Sequence, residues 1–181
     1  MDIIPDFDGR GLLPQGDTGF YSPSLEEFIT RFVSVINIET RSNLFEKYIA
    51  FCIKCLDTNA LISHYVNGSY TTNKEEPGDI DLLVILDGLT VDEGPDELYE
   101  EYIEINDLET IKETYSCHTW CVLDYNPNDF EVLHKYHNDI KNAVISWWQT
   151  NFMDEERTTL DPDTKGVIIL SQDEINKMRS F

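Results

Sequence analysis

The stretch VNGSYTTNKEEPGDIDLLVIL, from Val66 to Leu86, decides how this chain is read. A strand, Leu61-Ile62-Ser63-His64-Tyr65-Val66, runs into Gly68-Ser69. A polar segment follows and ends at Pro77-Gly78. A second strand then begins with Asp79-Ile80-Asp81 and continues through Leu82-Leu83-Val84-Ile85-Leu86, an apolar run that predicts burial on both faces. Side chains alternate along a strand, so Asp79 and Asp81 share one face, with backbones roughly 6.6 Å apart. Two carboxylates at that separation are able to share one or two hard divalent ions, Mg2+ or Mn2+. Without a metal they repel each other. Gly68 lets the backbone come close to a phosphate, and the Ser69 hydroxyl and neighbouring N–H groups can point at its oxygens. Phosphoryl and nucleotidyl transfer need in-line geometry and metal ions that neutralise charge. This one stretch offers both halves of such a site.

Working outward, Ser24-Leu25-Glu26-Glu27 is a capping box that opens a helix with Leu25, Phe28, Ile29, Phe32 and Val33 at helical spacing. A second helix is predicted over 42–57, a third strand over 117–125 and a long helix over 130–152. A turn at Asp161-Pro162-Asp163 precedes a last strand, Gly166 to Leu170, and a short helix is expected from Asp173. Residues 1–23, rich in Gly, Pro and Asp, read as an irregular leader pinned by Leu12, Leu13 and Phe20. The acidic run 92–109 reads as a solvated face, and 96–105 as a short helix or a mobile loop. The expectation is one domain, leader 1–23 and body 24–181, with a mixed α/β fold: a short twisted sheet flanked by helices.

The formal net charge of −22, from 35 acidic and 13 basic residues, disfavours a polyanionic partner held by phosphate contacts. A nucleotide bound with magnesium at a local carboxylate pair is compatible with it. No run approaches the roughly 20 apolar residues of a membrane span. The opening MDIIPDFDGRG, acidic and interrupted by Pro5, does not read as a secretory signal. The expected location is cytoplasmic, with Cys52, Cys55, Cys117 and Cys121 reduced. Cys52 and Cys55 have CxxC spacing but lie in the apolar run FEKYIAFCIKCL, so they read as buried helix residues and not as zinc ligands.

The joined pattern resembles the signature of the DNA polymerase beta-like nucleotidyltransferase superfamily. That signature is an apolar strand, Gly-Ser or Gly-Gly, a gap of about nine to thirteen residues, and Asp-hydrophobic-Asp-hydrophobic. Here Gly68-Ser69 and Asp79-Ile80-Asp81-Leu82 complete it. More closely, the leader GLLPQG, the helix start SLEEF, the loop GSYTTNKEEPGDID and the late WW and KGVIIL segments resemble the DUF6932 type of small bacterial and phage proteins. The resemblance implies the nucleotidyltransferase fold and a site at Gly68, Ser69, Asp79 and Asp81. It also implies a third carboxylate on a neighbouring strand. On Cys117–Tyr125 the residues sharing one face include His118 near the start and Asp124 near the end; either would complete the site, and neither matches the pattern fully. Imidazole at that position binds a metal or acts as a base, but is not the usual magnesium ligand.

Lys74, in the loop, is within reach of a triphosphate. Trp147 and Trp148 raise the idea of base stacking; helical spacing with Ile140 and Val144 predicts Trp147 in the core and Trp148 towards an interface. Three functions follow as expectations. The first is metal-dependent transfer of a nucleoside monophosphate from an NTP to a small-molecule or protein acceptor. The second is a nucleotide- or partner-binding module of the same fold without chemistry, motivated by the missing third carboxylate. The third is an acidic interaction protein that mimics nucleic acid.

Overall fold

The computed structural model describes residues 4–34, 38–150 and 165–181. Among the described residues five strands form one mixed sheet in the order β1-β5-β2-β3-β4: β1 Phe20–Tyr21, β2 Leu61–Asn67, β3 Ile80–Asp87, β4 Cys117–Asp124 and β5 Val167–Ser171. β2 pairs antiparallel with both β3 and β5, whereas β3–β4 and β1–β5 are parallel. The predicted mixed α/β class is therefore what the chain adopts. The anticipated turn at Asp161-Pro162-Asp163 and the helix end at 151–152 lie outside the described residues.

Both faces of the sheet are covered. One face carries Ile80, Leu82, Val84 and Leu86 under α1 (Leu25–Phe28, continuing as a π-helical turn Ile29–Val33) and α2 (Ile38–Asp57), where Phe28, Phe32, Phe45, Tyr48 and Phe51 pack. The other carries Leu83, Ile85 and Val122 under Ile145 and Trp148 of α6 (Glu131–Thr150). This two-sided burial is why β3 reads as a continuous apolar run.

A parallel β3–β4 pair cannot be joined by a hairpin and needs a crossover. Residues 88–115, which include the acidic run, supply it as three helices: α3 Gly88–Glu93, α4 Asp96–Asn106 and α5 Leu108–Tyr115. Two aspartates act as caps. Asp87 accepts from the Thr90 N–H (2.7 Å), and Asp107 from the Thr110 N–H (3.3 Å). The 96–105 segment is thus helical, with its acidic residues towards solvent and Leu98 and Ile105 turned inward.

The Ser24 hydroxyl accepts from the Glu27 N–H (3.2 Å), as a capping residue should. The Glu27 carboxylate accepts instead from the Ile4 N–H (2.6 Å), and Glu174 of α7 (Gln172–Asn176) accepts from the Leu25 N–H (2.7 Å). Glu174, 149 residues away, therefore satisfies the first N–H of α1, while the leader donates its Ile4 N–H to the Glu27 side chain. The leader is more ordered than its composition suggests. It supplies β1, and Leu12 and Pro14 bridge to Thr72 and Lys165.

α6 presents Ile140, Val144, Ile145 and Trp148 to the sheet, so Trp148 is the buried tryptophan, 4% exposed, and Trp147 is 51% exposed. This reverses the expected roles of the two. They lie about 100° apart around the helix, and both fit helical spacing with Ile140 and Val144. Only the rotation of α6 on the sheet distinguishes them.

Candidate functional site

Three neighbouring strands place Asn67, Asp81 and His118 in one row: Asp81 is paired with Asn67 on β2 and with His118 on β4. The row lies where β2 ends and where β3 and β4 begin. Gly68 follows Asn67 with φ 75° and ψ −162°, a conformation reserved almost entirely for glycine. The Asp81 carboxylate lies against the Gly68 α-carbon, in the space a side chain would occupy. Ser69, half-buried, then opens a 3-10 turn, Ser69–Thr71.

The carboxylates are both engaged. His118 Nδ1 lies 3.1 Å from Asp81 Oδ1, a hydrogen bond in which the Nδ1–H donates. Lys112 of α5 reaches Asp79 Oδ2 at 2.8 Å. That pair is partly exposed, so it screens Asp79 without sealing it.

The sequence reading did not single out Lys165, which is 2% exposed. Its ammonium donates to Asn67 Oδ1 (2.7 Å) and to the Gly68 carbonyl. Burial pushes it down to about 7, against the opposing pull of nearby Asp81. Asn67 Oδ1 also accepts from the Gly68 N–H (2.7 Å), which fixes the orientation of the amide. Asn67 Nδ2 is then a buried donor with no partner among the described residues. The signal in the sequence was a lysine directly before an apolar strand. Only the β2–β5 pairing carries it beneath Gly68.

Arg41 was missed as well. It sits in α2 with no side-chain exposure and donates to the carbonyls of Phe32 and Tyr70 (2.8 Å each), Thr72 (2.8 Å) and Lys74 (2.6 Å). The guanidinium also lies over the Tyr70 ring at 5.2 Å, and the Tyr70 hydroxyl donates back to the Arg41 carbonyl (3.2 Å). This fork of donors shapes the loop between Ser69 and Asp79. From the leader, the Gly11 carbonyl accepts from the Asn73 N–H (2.9 Å).

Of the residues anticipated from sequence, Gly68, Ser69, Asp79, Asp81 and His118 come together. Lys74 is exposed; its N–H donates to Thr72 Oγ1 (3.2 Å) and its carbonyl takes the Arg41 bond. Asp124 does not join them. It pairs with Asp87 at the far end of β4, about 20 Å along the strand from His118. There it lines a shallow depression with His137, Asn138 and Lys141. At the start of β4, opposite Asp81, the side chain is an imidazole. Among the described residues no three or more His, Cys, Asp or Glu side chains are grouped to hold a metal ion. Cys52 and Cys55 are buried free thiols in α2, as their apolar context predicts.

No helix among the described residues is long and apolar enough to cross a membrane. No curated protein and no solved structure matches this chain. A family of unknown function, DUF6932, matches residues 5–171, a span that takes in the leader, the Gly68–Asp81 loop, β4 and Lys165, and the chain belongs to that family.

Proposed function

We propose that the row at Asn67, Asp81 and His118, with Gly68-Ser69 above it, binds the triphosphate of a nucleotide and supports nucleotidyl transfer to a small-molecule or protein acceptor. The observation that carries the reading is the placement of the Asp81 carboxylate directly against Gly68, so that the phosphate-facing turn and the acidic strand start form one surface. The resemblance to the nucleotidyltransferase signature supports the same reading.

The donor set suits a particular kind of metal. Asp79 and Asp81 offer hard oxygens, and two carboxylates suffice for Mg2+, which keeps several waters and takes its remaining ligands from substrate phosphates. They do not make a closed protein cage, so the ion would enter with the nucleotide. The buried, unpartnered Asn67 Nδ2 fits the same picture, since a donor beside Asp81 is matched by a phosphate or water oxygen. When bound, the ion would neutralise charge on the attacked and leaving phosphate oxygens.

In the transfer, an acceptor oxygen or nitrogen forms a bond to the α-phosphorus, the α–β bridging P–O bond breaks, and pyrophosphate leaves. Asp81 holds the His118 Nδ1–H, so that in the neutral ring Nε2 would be the nitrogen that accepts the proton lost by the acceptor. Lys112 would move off Asp79 as the phosphates arrive.

A second reading, a nucleotide-binding module without chemistry, is favoured by the imidazole opposite Asp81 and by the Lys112–Asp79 ion pair. One experiment separates the two. The protein is incubated with labelled ATP, GTP, CTP or UTP, Mg2+ or Mn2+, and cell lysate as acceptor source, beside an Asp79→Asn/Asp81→Asn variant. Transfer by the wild type alone is expected. Binding by calorimetry without pyrophosphate release would establish the module instead, and neither binding nor transfer would remove the site from consideration.

A further inference from the structure

We infer that Trp147, backed by Trp120, is the stacking platform for the nucleobase of the nucleotide whose triphosphate the Gly68–Asp81 site takes; this rests on the function proposed above. A run of aromatic rings leads from the carboxylate to solvent. His118, hydrogen-bonded to Asp81, lies 4.4 Å from the half-buried Trp120, ring centroid to ring centroid. Trp120 lies 6.3 Å from Trp147 and meets Trp148 edge-on at 5.8 Å. Trp148 is buried, so Trp120 is braced from behind, while Trp147 is 51% exposed.

The backbone independently brings this end of α6 to the site. The Gln149 carbonyl, two residues beyond Trp147, accepts from the Lys165 N–H (3.4 Å). The ammonium of that same Lys165 rests on the Gly68 carbonyl. Trp147 is therefore joined to the site through Trp120 and His118, at the end of α6 whose backbone meets Lys165. An exposed indole here has no hydrophobic core to fill. It does offer a flat π-surface, which stacks on any base and stacks best on the larger purine rings. A neutral base face also avoids the repulsion that the net charge of −22 imposes on further phosphates.

The test is calorimetric binding of Mg-ATP, Mg-GTP, Mg-CTP, Mg-UTP and Mg-tripolyphosphate to the wild type, Trp147→Ala and Trp147→Phe. Tripolyphosphate carries the anion without a base. Expected are purine nucleotides bound about 10-fold or more tighter than tripolyphosphate, with pyrimidine nucleotides between them. Trp147→Ala should abolish that difference and leave tripolyphosphate affinity unchanged, and Trp147→Phe should retain most of it. Unchanged tripolyphosphate binding also shows that the alanine variant is folded. An ATP-to-tripolyphosphate ratio unaffected by Trp147→Ala would overturn the platform and leave the phosphate site standing. Failure of the wild type to bind any of the five would overturn the phosphate site, and the platform with it.

Discussion

The carboxylate of Asp81 occupies the space that a β-carbon on Gly68 would need. The two residues sit on adjacent strands, one just past the end of β2 and the other at the start of β3. A glycine at this position therefore serves both the backbone, which needs φ 75°, and the acidic side chain packed on it.

Gly68→Ala is thus expected to act in two ways. The backbone conformation alone costs about 1–3 kcal/mol for a residue with a side chain, lowering Tm by roughly 2–10 °C. The displaced Asp81 should also lose its contact with His118. Thermal unfolding checks the first effect and the chemical shifts of the His118 ring protons the second. A variant with wild-type Tm and unaltered His118 ring shifts would show that the Gly68–Asp81 contact does not organise the site.

Arg41 satisfies four carbonyls, three of them in the loop between Ser69 and Asp79. Arg41→Lys retains the charge but has neither the planar fork nor enough donors. Buried carbonyls left unpaired then cost about 2–4 kcal/mol. Amide exchange at Thr72 and Asn73, whose N–H groups bond to the Ser69 and Gly11 carbonyls, should accelerate in the variant. Protection at wild-type levels would mean that the leader alone holds the loop.

Lys165 makes stability depend on pH with a definite sign. In the unfolded chain its ammonium titrates at the ordinary value of 10.5; in the folded protein burial lowers that to about 7. Between these values the unfolded state binds the extra proton, so stability rises with pH, by up to about 1.4 kcal/mol per pH unit. The penalty is complete below pH 7 and gone above 10.5. Denaturation of wild type and Lys165→Met from pH 7.5 to 10 should show the difference between them changing in favour of the wild type as pH rises. A difference that stays constant would mean Lys165 keeps its ordinary proton affinity.

His64, fully buried in β2, shares a hydrogen bond between Nδ1 and the Tyr48 hydroxyl (3.0 Å), while Nε2 has no partner among the described residues. Desolvation lowers its proton affinity from 6.5 to about 3. Stability from this neutral imidazole is present above pH 6.5 and lost as pH falls towards 3, because the unfolded state then takes up the proton. Against His64→Leu, the wild type should show an additional loss approaching about 1.4 kcal/mol per pH unit below pH 6. Parallel pH profiles of the two proteins would rule this out.

The local code of this protein was legible before any fold. Short apolar runs located β2 to β5, Ser24 marked the start of α1, and the Gly68-Ser69 and Asp79-Ile80-Asp81 pair marked where the chain becomes chemically unusual. Those features rest on periodicity, capping and backbone freedom, which act within a few residues. The crossover helices were obscured by their acidity, although Asp87 and Asp107 turned out to be helix caps.

What lay beyond the sequence depended on contacts between distant residues. The β3–β4 register placed His118, and not Asp124, opposite Asp81, because one strand's start can be paired only when its partner is known. The rotation of α6 buried Trp148 and exposed Trp147, a choice between two faces that its periodicity left equivalent. The β2–β5 pairing brought Lys165 beneath Gly68 from 97 residues away, and α2 carried Arg41 under a loop more than 30 residues further on. A lysine and an arginine in sequence are ordinary surface residues. They become the buried cations of a candidate site only when the tertiary structure removes water from them and supplies carbonyls in its place.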